Sequence, residues 1–387
     1  MSDFLSADEI DAVRSPSERS SWLPARCYTD PAFFELEKER LLGRSWLAVG
    51  LAQQVASVGD YFTIDVMDEP ILVVRGKDDR VRALSNVCPH RWMRVAGHEP
   101  DAPLSLRSDD TGTTKVFQCP YHLWSFDVNG SLIGAPGMEQ AEDFDKDDWC
   151  LPEIRSEVWG GLVFVNLDPD AQPLGPQLSG LETLASEYEL DRLEWLGEPL
   201  EYVCDWNWKL SVEAGSESYH HLALHRDILE DFLPAAMSAI EPAAGPYALY
   251  RNPTADGSPM SRHAPAPEGM SEQNRTALTL LTIFPYTMLF MLPTHTAYLQ
   301  VIPQRHDRHR LRYFSLFHPN SREVDDFEAH VAGVQEGLDA VHQQDMVAGR
   351  HMWRGVQSRF ARPGRRSHLE AQLHQFHNWL LDTVAAD

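Results

Sequence analysis

Two short stretches of this chain pair a thiol with an imidazole: Cys88-Pro-His90-Arg-Trp and Cys119-Pro-Tyr-His122-Leu-Trp-Ser-Phe-Asp. Soft thiolates combined with borderline imidazoles suit tetrahedral zinc, or an iron–sulfur cluster in which two histidines replace two cysteines on one iron. Spacing alone does not separate these. The neighbours favour the cluster: each cysteine is followed by proline, the second stretch runs through aromatics into an Asp127-Val-Asn129-Gly130 hairpin signal, and the setting is β-rich rather than a zinc-finger helix. His98 lies between the two stretches and reads as a solvated loop histidine.

A second concentration of donors runs Asn207-Trp-Lys-Leu-Ser-Val-Glu213-Ala-Gly-Ser-Glu217-Ser-Tyr219-His220-His221-Leu-Ala-Leu-His225. Taken as one continuous helix, Glu217, His221 and His225 share a face at i, i+4 and i+8, so periodicity alone pairs His221 with His225 as metal ligands. His220 and His225 would stand about 140° apart on such a helix and could meet one metal only if it ends, kinks or bulges between them.

These donors must be positioned by two kinds of structure. Asp30-Pro31 opens a helix, because apolar residues recur at helical spacing from Ala32 to Leu42 with proline in the first turn. From about Trp46 to Asn166 short β-rich runs (Tyr61 to Val66, Ile71 to Arg75, Leu162 to Leu167) alternate with Gly and Asp turns, the texture of a small all-β domain. Asp168-Pro-Asp-Ala-Gln-Pro-Leu-Gly-Pro is a linker. Beyond it come a helical stretch from Asn207 to Leu229, β-like runs at Thr279 to Leu292, Ala297 to Pro303 and Arg310 to Phe317, and helices from Glu323 onward. The mixture is α+β with an antiparallel sheet. Pro242 to Asn274, rich in Pro, Gly, Ser and Ala, reads as a long surface loop or lid.

Composition removes several function classes. At 387 residues two domains are the default, and 43% apolar with 24% charged residues is ordinary for a folded chain. A net charge of −25 without a basic run repels nucleic acid and anionic lipid. The start lacks a secretory pattern, and the longest apolar stretch, Leu278 to Pro293, is interrupted by Thr and Pro, so a cytoplasmic protein without membrane partners is expected. Five cysteines there speak for metal or burial rather than disulfides.

The paired Cys/His stretches closely resemble the Rieske motif, and Asn207-Trp-Lys with Glu217, His220 and His225 resembles the mononuclear iron motif of the Rieske non-haem iron oxygenases, alpha (terminal oxygenase) subunit. The resemblance, which runs from the Trp46 region to Gln375-Phe-His-Asn-Trp, implies an N-terminal all-β Rieske [2Fe-2S] domain and a C-terminal helix-grip-like domain, with bounds of 1–45 for an N-terminal helical segment packing on the catalytic domain, 46–168 for the Rieske domain and 169–387 for the catalytic domain. It implies Cys88, His90, Cys119 and His122 on the cluster, His220 and His225 on iron with His221 in support, and Asp345 as the carboxylate, chosen over Asp339 and Glu336 because Gln344-Asp345 precedes Arg362-Pro-Gly-Arg-Arg-Ser367. Glu217 would be the electron-transfer bridge between centres of neighbouring subunits. The segment Arg91 to Gln118 is longer than the family pattern and reads as a surface insertion.

By the same resemblance the chain would use Fe(II), O2 and electrons from NAD(P)H. These electrons would arrive through a separate flavin/iron–sulfur reductase, with or without a ferredoxin, because no dinucleotide fingerprint or ferredoxin-like cysteine set is present. A head-to-tail homotrimer is implied. The substrate would be a small organic molecule, an aromatic acid or related ring, or alternatively a quaternary amine such as carnitine or glycine betaine held in an aromatic cage. Ile283, Phe284, Tyr286, Met288, Phe290, Tyr298 and the Pro242 to Asn274 loop are the candidate pocket residues. A cluster-containing electron carrier, which would not need His220, His225 and Asp345, is the non-enzyme alternative; a colourless zinc-stabilised interaction protein is the other.

Overall fold

The computed structural model describes residues 4–97, 109–260 and 265–385; His98 and the rest of 98–108 lie outside them, while the described parts of the expected 91–118 surface insertion belong to the fold, with Val95, Ala96 and Phe117 buried in the core and Thr111–Thr113 and Val116–Gln118 in strands. The chain divides into two compact units, Ala48–Gln172 and the combination of Met1–Leu47 with Pro173–Asp387. No helix among the described residues is long and apolar enough to cross a membrane.

The first unit is built from β1 (Leu47–Leu51), β2 (Asp60–Val66), β3 (Glu69–Arg75), β4 (Val81–Ser85), β5 (Thr111–Thr113), β6 (Val116–Gln118), β7 (Ser125–Asp127), β8 (Leu132–Gly134), β9 (Glu153–Trp159) and β10 (Leu162–Asn166). They form a sheet of order β1-β10-β9-β4-β3-β2-β5 and a small sheet β6-β7-β8. Leu72, Val74, Leu84, Trp124, Phe126 and Leu132 fill its core, and Cys88 and Cys119 are embedded in the same cluster. The Asn129-Gly130 signal does close the β7–β8 hairpin. Gly130 has φ of +91°, and the Asp127 carboxylate accepts from the Asn129 and Ser131 amides at 2.9 and 3.0 Å. Only glycine takes that backbone without strain.

In the second unit β11 (Glu194–Trp195), β12 (Leu200–Cys204), β13 (Ala239–Glu241), β14 (Tyr247–Pro253), β15 (Ala277–Ile283), β16 (Thr287–Met291), β17 (His295–Arg305) and β18 (Arg308–Phe317) make an antiparallel sheet of order β11-β18-β17-β16-β15-β14-β13, with β12 also paired to β18. One expectation fails here: Pro242 to Asn274 is not one long loop. Tyr247–Pro253 is a buried strand between β13 and β15. The Pro and Gly residues on either side hide it, and burial on both faces removes the alternation that would have marked it.

The helices are α1 (Ala7–Arg14), α2 (Arg26–Thr29), α3 (Pro31–Arg40), α4 (Leu174–Gln177), α5 (Glu182–Glu187), α6 (Trp208–Gly215), α7 (Glu272–Arg275), α8 (Phe327–Val356) and α9 (Ala371–Ala385). In α9, Leu373, Phe376, His377, Leu380, Leu381 and Val384 are buried at i, i+3, i+4 spacing, and the helix lies against β14, α1 and α3. The Asn-Trp-Lys motif works as a helix start. The Asn207 side chain accepts from the Lys209 amide, Trp208 is fully buried, and Lys209 Nζ reaches Glu37 of α3 at 2.6 Å with both side chains 0% exposed. Removing one partner of such a buried pair costs about 3–5 kcal/mol, so this contact fastens the N-terminal helices to α6.

Candidate metal centres and active site

Cys88 and Cys119 head two loops with the same backbone design despite their different histidine spacing. In each, the cysteine amide donates to the carbonyl five residues on, Met93 or Trp124, and the amide four residues on, Trp92 or Leu123, donates back to the cysteine carbonyl. Trp92 and Leu123 both adopt left-handed φ, 59° and 61°. The loops bring His90 and His122 to a ring separation of 4.6 Å, and His90 stacks on Trp124 at 4.9 Å. The hydrogen bond between the two thiols holds Cys119 below the ordinary thiol range and pushes Cys88 above it. His122 Nδ1 is buried without a partner. Two facing thiols, two facing imidazoles and an orphaned ring nitrogen fit a two-cysteine, two-histidine cluster.

The expected helix from Asn207 to Leu229 is broken. α6 stops at Gly215, where an added Cβ would stand 3.0 Å from Met288 Sδ. A 3₁₀ turn spans Tyr219–Leu222, Ala223 leaves helical geometry, and a π-turn covers Arg226–Glu230. This break permits what an ideal helix forbids. His220, His225 and Asp345 each offer a ligand atom within 4.8 Å of the others. His225 Nε2 lies 3.0 Å and His220 Nε2 3.9 Å from Asp345 Oδ1. His221 is not in this set; its rings-apart distances to His220 and His225 are 4.8 and 5.5 Å. Asp339 is occupied elsewhere, accepting from the Tyr202 hydroxyl at 2.5 Å.

The remaining nitrogens of the two histidines are held from behind. His220 Nδ1 donates to Glu217 Oε1 at 2.5 Å, and the other Glu217 oxygen accepts from the Tyr219 and His220 amides. Burial works against a charged His220, but the bond to Glu217 and the charges of Glu217 and Asp345 hold its pKa above the ordinary value. His225 Nδ1 donates to Gln344 Oε1 at 2.7 Å, a partner that sequence reasoning missed although Gln344 adjoins Asp345. Such contacts fix tautomer and ring orientation and leave both Nε2 atoms for a metal. A 2-His-1-carboxylate set suits non-haem iron.

Asp345 and His220 border two cavities. One, of about 500 Å³, is lined by Trp22, Tyr28, Glu213, Glu217 and Glu370. The other, of about 340 Å³, lies between the sheet and α8, with Leu278, Phe290, Leu299, Leu311 and Tyr313 on the sheet side. Of the expected pocket residues Phe290 is there, and so are Tyr250 and Met260 of the Pro242 to Asn274 segment. Ile283 and Tyr298 have the opposite parity on their strands, and Tyr298 stacks on Phe314 instead. Tyr286 packs on Trp208, Phe284 on Phe376 and Trp379, and Met288 lies under the end of α6 where Ser216 Oγ donates to its sulfur. Sheet residues alternate faces, so an unaligned list of apolar residues selects both.

Comparison with known proteins is consistent with these two centres. Residues 45–149 match the Rieske [2Fe-2S] domain model, and residues 190–386 match the ring hydroxylating alpha subunit (catalytic domain) model. Biphenyl 2,3-dioxygenase subunit alpha of Rhodococcus jostii is 35% identical over 55% of this chain and 45% of its own length. The carnitine monooxygenase oxygenase subunit of Escherichia coli is 37% identical over 56% of this chain and 55% of its own. The chain thus spans about half the length of these curated relatives in the matched regions. In fold it is similar to naphthalene 1,2-dioxygenase from Rhodococcus sp., with a TM-score of 0.82, 22% identity and 98% of both chains covered. A Rieske domain implies a [2Fe-2S] cluster and the catalytic domain a mononuclear iron that uses O2, and the donor sets described above fit both. The chain belongs to the ring hydroxylating alpha subunit family, with a Rieske domain preceding its catalytic domain.

Proposed function

We propose that the chain is the terminal oxygenase component of a Rieske non-haem iron system that hydroxylates a small organic ring. The observation that carries this is the convergence of His220, His225 and Asp345 at the wall of a largely apolar cavity. In this reading those three residues hold iron, and Cys88, Cys119, His90 and His122 hold the cluster. When bound, the iron supplies dioxygen activation fed by electrons from the cluster. The protein's own part is positional. Gln344 and Glu217 hold the two imidazoles, and apolar walls keep water from the reacting ring.

Electrons would come from NAD(P)H through a separate reductase, with or without a ferredoxin, and pass by way of Glu217 from the cluster of a neighbouring copy in a head-to-tail trimer. Support for that neighbour comes from Trp92, Tyr121 and Leu123, which are 80%, 51% and 51% exposed around the two cluster histidines. Exposed apolar groups gathered at one place mark a surface meant to be covered. Among the described residues no Lys or Arg lines the cavity between the sheet and α8, so an aromatic acid, the form expected from sequence, has no cationic partner there, whereas Arg362 lines the other cavity. The ring is therefore read as uncharged. A quaternary amine is the second reading, because Phe232, Tyr250, Phe290 and Tyr313 bring several aromatic faces to the same cavity.

The test is anaerobic purification with iron, zinc and acid-labile sulfide counted, and EPR before and after dithionite. About three irons per chain with a Rieske-type signal is the expected result. A colourless zinc protein would end the oxygenase reading.

A further inference from the structure

We infer that the arginine patch at the end of α8 is an interface for a second copy of this chain, and that it takes the acidic strip Glu139–Asp148 of that copy's Rieske unit. This rests on the neighbouring-copy reading above and names the surfaces that meet.

Between Asp345 and Glu370 the chain has six arginines and no acid, in a protein of net charge −25. A reading that looks for consecutive basic residues passes over them, because most are spaced three to five apart. Arg366 is buried against Ser20 and His377, but Arg350, Arg354, Arg359, Arg362 and Arg365 are all exposed. Among the described residues none of these five is in an ion pair, whereas Arg305, Arg308, Arg310, Arg312 and Arg322, on and beside the sheet, each meet a carboxylate. Arg354, in the last turn of α8, complements the helix dipole. Arg359, Arg362 and Arg365 lie beyond the helix and have no such local reason. Like charges so close in sequence repel one another, and negative charge brought from outside relieves them. The patch also has an apolar part: Met352 is 40% exposed and Phe360 74%, with the Arg359 guanidinium 4.7 Å over the Phe360 ring. Arginine gathered with an aromatic ring and methionine is the composition of an interface rather than of a solvated face.

The place of the patch selects its partner. Met352, Val356, Ala361 and Arg362 line the cavity of about 500 Å³ that also holds Glu217 and His220. An external reductase feeds the cluster; what must come to Glu217 is the cluster itself. The unit that carries the cluster is acidic, with 21 Asp and Glu against 10 Lys and Arg over residues 48–172. Within it Glu139, Glu142, Asp143, Asp145, Asp147 and Asp148 are all exposed, with Lys146 the one base among them. Phe144 and Trp149, in and just after this strip, pack on Trp124 at 5.6 and 5.8 Å, and Trp124 stacks on His90 at 4.9 Å. The acidic strip therefore stands at the cluster end of its unit, as the arginines stand at the Glu217 end of theirs. Charge complementarity of this kind sets approach and register.

The experiment is sedimentation velocity on the metal-loaded protein across a dilution series, with iron and acid-labile sulfide counted on the same samples. The wild type should assemble. Raising salt from about 0.1 to about 1 M, which shortens the Debye length from about 10 to about 3 Å, should weaken assembly about tenfold or more. At low salt Arg350→Glu with Arg359→Glu should weaken it about tenfold or more, and so should Glu142→Lys with Asp148→Lys. All four changes in one chain restore opposite signs across the interface and should return assembly to within about threefold of the wild type. The salt series keeps the inference testable if a variant does not fold. Salt-independent assembly, indifference to either reversal, or no recovery in the four-change chain would each overturn the inference. A reversal that leaves assembly intact and lowers only reductase-driven turnover overturns it too, because the arginines would then face the external electron donor. A chain that stays monomeric at every concentration removes the inference together with the trimer, yet leaves the oxygenase reading standing, since the iron and sulfide counts decide that reading by themselves.

Discussion

At the scale of single residues, the three clustered histidines show what spacing can and cannot decide. Helical periodicity pairs His221 with His225, whereas the chain pairs His220 with His225 because α6 ends at Gly215 and irregular turns follow. The residue types were legible in the sequence; the break was not, since a glycine inside a helical pattern does not by itself end the helix. Gln344 was missed for a similar reason: an amide has no metal-ligand signature, and its importance lies in the 2.7 Å bond to His225. Replacing Gln344 with Leu should therefore lower mononuclear iron affinity by about 10–100-fold while the cluster signal is unchanged, as iron titration followed by EPR would reveal. His220→Ala should lose that iron and His221→Ala should retain it; the opposite outcome would restore the helical register.

At the scale of elements, the long helix and the sheet set the site by steric fit as much as by chemistry. Gly349 lies against Trp206, whose ring atoms would be 2.6 Å from an added Cβ, so Gly349→Ala should overpack the α8 seat and cost about 1–3 kcal/mol. Gly337→Ala, with nothing near, should instead add up to about 1 kcal/mol of helix stability. Thermal melts of the two variants should move in opposite directions, and parallel shifts would mean that α8 is not seated on Trp206. The sheet contributes a pH dependence. His309 of β18 is fully buried between the Trp206 carbonyl and Ser211 Oγ, at 3.0 and 2.9 Å, and burial holds its pKa down to about 4. The unfolded chain binds this proton near pH 6.5, so the stabilisation is complete above that pH and is lost as pH falls towards 4. From pH 7 to pH 5 the loss should be about 2 kcal/mol, seen in urea midpoints and flattened in His309→Asn. The strands at Thr279 to Leu292 and beyond could be read from β-branched and aromatic runs; which of their faces meets the cavity could not, because parity is set by register with β14 and β18.

At the scale of the whole molecule, both cluster loops place an exposed apolar residue in a conformation it does not favour. Trp92 is 80% exposed at φ 59°, Leu123 is 51% exposed at φ 61°, and Arg91 lies 5.7 Å over the ring of Tyr121 beside them. A non-glycine residue held there costs on the order of 1 kcal/mol, and solvent returns nothing for it. The loops' hydrogen-bond pattern explains the φ values but not why tryptophan occupies one of them, since glycine would meet the backbone requirement better. The neighbouring copy proposed above would supply the missing reason. Trp92→Gly should then raise the melting temperature of the dilute chain through relief of strain, yet weaken the proposed trimer and slow electron delivery to the mononuclear iron. Mass photometry across a dilution series, with single-turnover oxidation of the pre-reduced cluster, separates the effects. If the variant is more stable and just as trimeric, Trp92 is a solvent-facing residue and the neighbouring copy docks elsewhere.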